Sequence, residues 1–182
     1  MERVVGIKDS SGDLAFMMRM IASIRPYRPE FSFLTGWEAV LVPMLMVGAD
    51  GGTHATSGVV PELTRQMFEL ARSRQYEQAM TLQYRLLELF DAMFYPADFP
   101  EGFRAAVELR GFAMGAGRQP LSATQKVDRE KLQRVLQCIL ADFGYVAAPA
   151  EGCPPRQSNL EPLRVNKIAD DVIRQLRQQG LV

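Results

Sequence analysis

The sequence is poor in the residues that build metal centres. It holds one histidine, His54, and two cysteines, Cys138 and Cys153, among 182 residues. A lone imidazole cannot make a His-rich site, and the two cysteines lack the close spacing of a metal motif. No metal ligand set is assigned. A dominant charge is also missing: 21 lysines and arginines balance 21 aspartates and glutamates. No global field therefore draws in nucleic acid or an anionic membrane. No apolar run reaches membrane-spanning length, and the amino end has no signal-peptide pattern. These absences predict a cytoplasmic protein in which Cys138 is a reduced core residue of a helix. Apolar residues, by contrast, make up 47% of the chain, the content of a folded protein with a core. The ten methionines read as core filler.

The chain opens on a β-branched run, Val4-Val5-Gly6-Ile7, that ends at Lys8. A Ser/Gly/Asp cluster follows and leads into a helix whose apolar stripe is Leu14, Met17, Met18 and Ile21, with Ser11 as the expected N-cap. Lys8 thus falls at the carboxyl end of a strand, where parallel α/β folds collect ligands and catalytic groups. On position alone such a lysine is most often a solvated sheet-edge residue. Partial desolvation would instead favour its neutral, nucleophilic amine.

Pro26 and Pro29 end the first helix. Phe31 to Thr35 reads as a second strand with Gly36 at its turn. Glu38 to Val47 reads as an apolar helix interrupted by Pro43, and Asp50 to Ala55 as a short third strand containing Gly51-Gly52. Strand, turn and helix alternate at α/β spacing, which predicts parallel strands adjacent in chain order. From Pro61 the pattern turns all-helical: a helix from Pro61, a longer one from about Tyr76 to Tyr95, a short one over Phe103 to Met114, and an amphipathic one over Asp128 to Phe143. Residues 146–163 are rich in Pro, Ala and polar groups and read as a linker, followed by a helix over Val165 to Gln179.

Gly6-Ile7-Lys8-Asp9-Ser10-Ser11-Gly12-Asp13 resembles the Schiff-base strand of the class I pyruvate-dependent aldolases, the dihydrodipicolinate synthase and N-acetylneuraminate lyase family. The resemblance continues in register through Phe33-Leu34-Thr35-Gly36-Trp37-Glu38, Gly48-Ala49-Asp50-Gly51-Gly52-Thr53, Ala105-Ala106-Val107-Glu108-Leu109-Arg110-Gly111 and Gly117-Arg118-Gln119-Pro120-Leu121. Each piece is weak alone; their shared order and spacing carry the likeness, which covers residues 1 to about 145.

The resemblance implies the last three strands of an eight-stranded (β/α) barrel in residues 1–75, a helical domain in 76–145, and an extra piece in 146–182. It implies a lyase in which Lys8 forms an imine with pyruvate or another 2-oxo acid, without any separate cofactor. Ser10, Gly36 and Glu38 would line the substrate, and Thr53 would offer main-chain groups near its carboxylate. The family's usual assembly is a tetramer, so a homo-oligomer is expected, with a small-molecule partner and neither nucleic acid nor membrane. Two departures stand out. The Gly/Thr-rich loop that grips the 2-oxo acid and the proton-shuttling tyrosine both belong to earlier strands, which have no match in this chain. Met1 directly precedes the lysine strand, so the chain reads as truncated. The alternative reading is a non-catalytic fragment or interaction module that retains barrel elements.

Several expectations follow. Lys8 should be mostly shielded, with its amine toward the strand ends at Gly36 and Thr53. The first two helices should pack on one sheet face, leaving Val5, Ile7 and Phe33 toward the barrel interior. His54 fits either a polar strand-end role or a catalytic one. Arg110 and Arg118 could meet a phosphate or carboxylate, or cap helix carbonyls.

Overall fold

A computed structural model describes residues 3–118, 120 and 126–153. Three strands, β1 (Gly6–Asp9), β2 (Ser32–Thr35) and β3 (Gly51–Gly52), form one sheet in the order β1-β2-β3. Both pairings are parallel, with Lys8 opposite Leu34 and Thr35 opposite Gly52. Helix α1 (Leu14–Ile24) links β1 to β2, and α2 (Leu41–Met46) links β2 to β3. Four helices follow: α3 (Pro61–Arg72), α4 (Tyr76–Phe94), α5 (Glu101–Leu109) and α6 (Arg129–Asp142). The expected terminal helix over Val165–Gln179 lies outside the described residues.

Parallel strands in chain order agree with the sequence reading; the direction of the side chains does not. Met17 of α1, Phe33 of β2 and Met44 of α2 are each 0% exposed and share a core with Phe31 and Ala49. Phe33 therefore faces the helices, and its register partner Ile7 shares that face. The alternate residues, Lys8 and Leu34, take the opposite face. The period of two reverses the interior assigned to Ile7 and Phe33. Val5 (68%) and Ile7 (37%) are exposed, since β1 is an edge strand among the described residues.

The base of the sheet is tied by a polar clamp. Arg25, which caps α1, donates through Nη1 to the Gly48 carbonyl at 2.8 Å and through Nη2 to Asp50 Oδ2 at 2.6 Å. The same Oδ2 accepts the Phe33 amide at 2.8 Å. One arginine and one aspartate thus fix the end of α1 against the entries of β2 and β3.

The break expected at Pro43 is real. Residues Glu38–Val40 form a single 3-10 turn before α2 begins. In a continuous α-helix the Val42 amide would bond the Glu38 carbonyl. Here the Gln83 side chain of α4 stands between them: Val42 N donates to Gln83 Oε1 at 3.1 Å, and Gln83 Nε2 donates to the Glu38 carbonyl at 2.9 Å. A buried amide inserted into the ladder is a recognised cause of helix kinks, and it leaves neither backbone group unpaired.

The larger core joins α2 and α3 to the helices beyond them, through Leu41, Val42, Leu63, Met67, Leu86, Phe90, Phe103, Leu136 and Ile139. Pro61 sits at the first turn of α3, where its missing amide costs nothing. Arg85 of α4 reaches Asp142 of α6 at 2.8 Å. Arg110 bonds Glu62 of α3 at 2.6 Å, so its carboxylate partner belongs to the chain itself.

Three local expectations are corrected. The N-cap of α1 is Asp13, whose side chain accepts the Phe16 amide at 2.8 Å; the Ser11 hydroxyl is already engaged with Asp9 Oδ2 at 2.7 Å. Helix α5 runs over Glu101–Leu109 and stops short of Met114. Gly111, at φ +93°, turns the chain there, and the Phe112 amide returns to the Val107 carbonyl. Cys138 is buried in α6 as expected, but it is disulfide-bonded instead of a reduced thiol. Residues Met1–Ala147 form one compact unit and Ala148–Val182 a second; in the second, the Gly152 amide bonds the Pro149 carbonyl at 2.8 Å.

Candidate active site

The carboxyl ends of the three strands gather the residues singled out in the sequence. β1 ends in the loop Asp9–Asp13, stiffened by side-chain bonds. Asp9 Oδ1 accepts the Ser11 amide at 3.2 Å, and the Ser11 hydroxyl accepts the Asp13 amide at 3.1 Å. This loop is joined to the end of β2 by the Gly36 amide, which donates to the Asp9 carbonyl at 2.6 Å.

Lys8 and Ser10 meet over Gly36. A Cβ built on Gly36 would overlap Lys8 Cε and Ser10 Oγ, and would stand 3.1 Å from Ser10 Cβ. The lysine stem therefore crosses the sheet end toward β2 and occupies the space a side chain at 36 would take. This is the direction expected from the sequence. The expected shielding is absent: Lys8 and Ser10 are both exposed, because no described strand lies beyond the β1 edge.

Glu38 is buried, at 7% exposure. Its Oε1 accepts the Thr56 amide at 2.8 Å and the Thr56 hydroxyl at 3.0 Å. Two donors on one oxygen satisfy a buried carboxylate and tie the end of β2 to the loop beyond β3. The Thr53 amide donates to the Thr35 carbonyl at 2.9 Å, so that main-chain donor is already occupied. Thr53 itself is exposed.

The residue that sequence reasoning left open, His54, is half-buried beside Gly52. The His54 ring lies over Gly52, where a built Cβ would overlap it and stand 2.8 Å from Nδ1. Its Nε2 is buried and has no hydrogen-bond partner. Burial lowers its pKa below the ordinary 6.5, the Glu38 carboxylate opposes that shift, the Lys8 ammonium adds to it, and the Thr35 carbonyl opposes it. Lys8, Glu38 and His54, from three successive strand ends, thus share one electrostatic environment. The Gly-Gly-x-His spacing was a visible signal for it, since a glycine two residues before a histidine on a strand leaves room for the ring. Among the described residues, no group of three or more His, Cys, Asp or Glu could hold a metal ion, and no helix is long and apolar enough to cross a membrane.

Parallel strands joined by helices, with charged groups collected near the strands' carboxyl ends, make an α/β arrangement. The chain belongs to the dihydrodipicolinate synthetase family, which it matches over residues 1–139. A 4-hydroxy-tetrahydrodipicolinate synthase from Methanopyrus kandleri is 37% identical over 134 residues, which are 74% of this chain and 43% of the relative. The crystal structure of dihydrodipicolinate synthase from Thermotoga maritima superimposes with a TM-score of 0.67 at 26% identity, covering 80% of this chain and 48% of that one. N-acetylneuraminate lyase from Fusobacterium nucleatum shares the fold, with a TM-score of 0.62 at 22% identity over 79% of this chain and 46% of that one. The chain spans about half the length of these relatives.

Proposed function

We propose that this chain carries the Schiff-base half of a lyase acting on pyruvate or another 2-oxo acid, with Lys8 as the nucleophile. The observation that carries this reading is the placement of Lys8: it sits at the carboxyl end of β1, with its stem laid over Gly36 beside Ser10. The family membership and the synthase relatives support it.

In this reading the neutral Lys8 amine adds to the C2 carbonyl, and loss of water leaves a protonated imine. The imine nitrogen draws electrons from C3, so a C3 proton departs and an enamine forms; the enamine carbon then attacks an aldehyde. The reverse direction cleaves a C3–C4 bond. No separate cofactor enters these steps, because the imine is the electron sink. The 2-oxo acid carboxylate is gripped from outside the three strands, by further strands paired along the β1 edge. The exposed Val4, Val5 and Ile7 support such an addition.

The test is exchange of pyruvate C3 protons for deuterium in heavy water, followed by proton NMR. Exchange above the solvent rate that disappears in Lys8→Arg is expected. Equal exchange in both proteins would overturn the assignment.

A further inference from the structure

We propose that Trp37 is a positioning residue of the Lys8 site: its indole ties the loop Asp9–Asp13 to helix α4 and thereby holds Ser10 beside the lysine. The proposal rests on the Schiff-base reading above and adds to it a residue that the family resemblance did not assign to the site. Three observations carry it. First, the indole lies on the loop itself. A Cβ built on Gly12 would stand 3.0 Å from Trp37 Cδ1 and 3.3 Å from Cγ, and Gly12, at φ +74°, holds a left-handed turn that favours glycine. Second, the indole is anchored on α4. Phe90 and Phe94, one turn apart, meet it edge-on with ring centres 5.2 Å and 5.0 Å away and planes at 74° and 81°, a geometry that aromatic pairs prefer. Third, the Trp37 backbone is extended, at φ −108° and ψ 100°, and its amide donates to the buried Thr35 Oγ1 at 3.2 Å. Successive residues of an extended chain face opposite ways, so Gly36 turns to Lys8 and Ser10 while Trp37 turns to α4.

These contacts make the end of β2 a two-sided clamp. On one side the Gly36 amide holds the Asp9 carbonyl at 2.6 Å, and the Lys8 and Ser10 side chains meet over Gly36. On the other, Trp37 closes on Gly12, two residues past Ser10. The loop's own bonds run from Asp9 to Ser11 and from Ser11 to Asp13, so they stiffen it without reaching β2. Its position over Gly36 comes from the two ties to β2, one polar and one aromatic. Phe90 continues the aromatic contact to Phe103 of α5 at 6.2 Å, so the helices beyond the sheet set where Ser10 and Lys8 meet. Without the indole the loop can lift from Gly36, and the lysine stem loses the neighbour that confines it.

The experiment measures the rate and final extent of the Lys8 adduct formed with pyruvate and cyanoborohydride, alongside amide hydrogen exchange of residues 10–12 and thermal melting. The proteins compared are the wild type, Trp37→Leu, Trp37→Phe, Phe94→Leu and Ile139→Val, the last thinning the same helical core at α6. In Trp37→Leu the trapping rate should fall about tenfold at unchanged final extent, and residues 10–12 should exchange at least about tenfold faster. Phe94→Leu should move both readouts the same way. Trp37→Phe keeps an aromatic edge between the loop and α4 and should stay within about threefold of the wild type in both. Ile139→Val should leave both unchanged despite a lower melting temperature. Wild-type behaviour in Trp37→Leu, or a change in exchange alone or in trapping alone, would overturn the proposal while leaving the Schiff-base reading intact. So would slowing that simply follows melting temperature across all four variants. If Trp37→Leu does not fold, Phe94→Leu decides by the same readouts. Absence of a wild-type adduct would remove the Schiff-base reading, and this proposal with it.

Discussion

The Lys8 side chain fills the place where a side chain on Gly36 would begin. Lys8 Cε and Ser10 Oγ both lie inside the volume of a Cβ at that position. Gly36→Ala should therefore displace the lysine without unfolding the chain, because both overlapped groups belong to exposed side chains that can swing away. We expect a stability change of about 1 kcal/mol or less and a Lys8 trapping rate at least about tenfold lower. Thermal melting and trapping on the same sample check the two halves; an unchanged trapping rate would show that the Gly36 contact does not position Lys8.

Gln83 replaces a helix hydrogen bond that the Pro43 region does not make. Gln83→Leu keeps the volume but strands the Val42 amide in a buried site, while the Glu38 carbonyl keeps only the Leu41 amide. The expected loss is about 2 kcal/mol, read from urea unfolding. A loss below about 0.5 kcal/mol would mean that Val42 and Glu38 close the ladder on each other once the amide is gone.

Glu38 and Lys8 act on His54 with opposite signs, and His54 is the sole histidine, so its imidazole signals can be followed without assignment. Glu38→Gln keeps a carbonyl oxygen for Thr56 and removes the charge that favours imidazolium, so the His54 pKa should fall further. Lys8→Met removes the opposing cation, so it should rise. Proton NMR titration checks both; shifts in the same direction, or none, would separate the three residues electrostatically.

Burial leaves His54 with a folded-state pKa below its ordinary 6.5. Between those two values the unfolded chain binds a proton that the folded chain does not, so stability rises with pH across that window. The contribution is complete above about pH 6.5 and is lost as pH falls through the lowered value. His54→Gln should flatten this segment of the stability profile in urea unfolding from pH 7.5 to 5. An unchanged slope would show that other groups produce it.

Much of this architecture could be read locally. The β-branched run before Lys8, the Pro61 helix start and the apolar stripes of α3, α4 and α6 are signals within a few residues, and the structure has those elements. What escaped depends on distant partners. Gln83 mends the α2 break from more than forty positions away, and no local pattern announces it. Phe33 turns to the helices because Met17 and Met44 wait there, which a strand of four residues does not reveal. Ser11 looked like the cap of α1, yet its hydroxyl belongs to Asp9. At the site, Lys8, Ser10 and Gly36 were legible as a group, whereas the Glu38–Thr56 tie and the cover of His54 over Gly52 appear only when the strand ends are assembled.

The central claim is that Lys8 is the amine that binds a 2-oxo acid. It is tested most directly by reducing the protein with borohydride in the presence of pyruvate and mapping the adduct by peptide mass spectrometry. The account predicts a single modified site at Lys8, absent in Lys8→Arg, with Lys126 and Lys131 unmodified. No adduct, or one spread equally over the lysines, would contradict it.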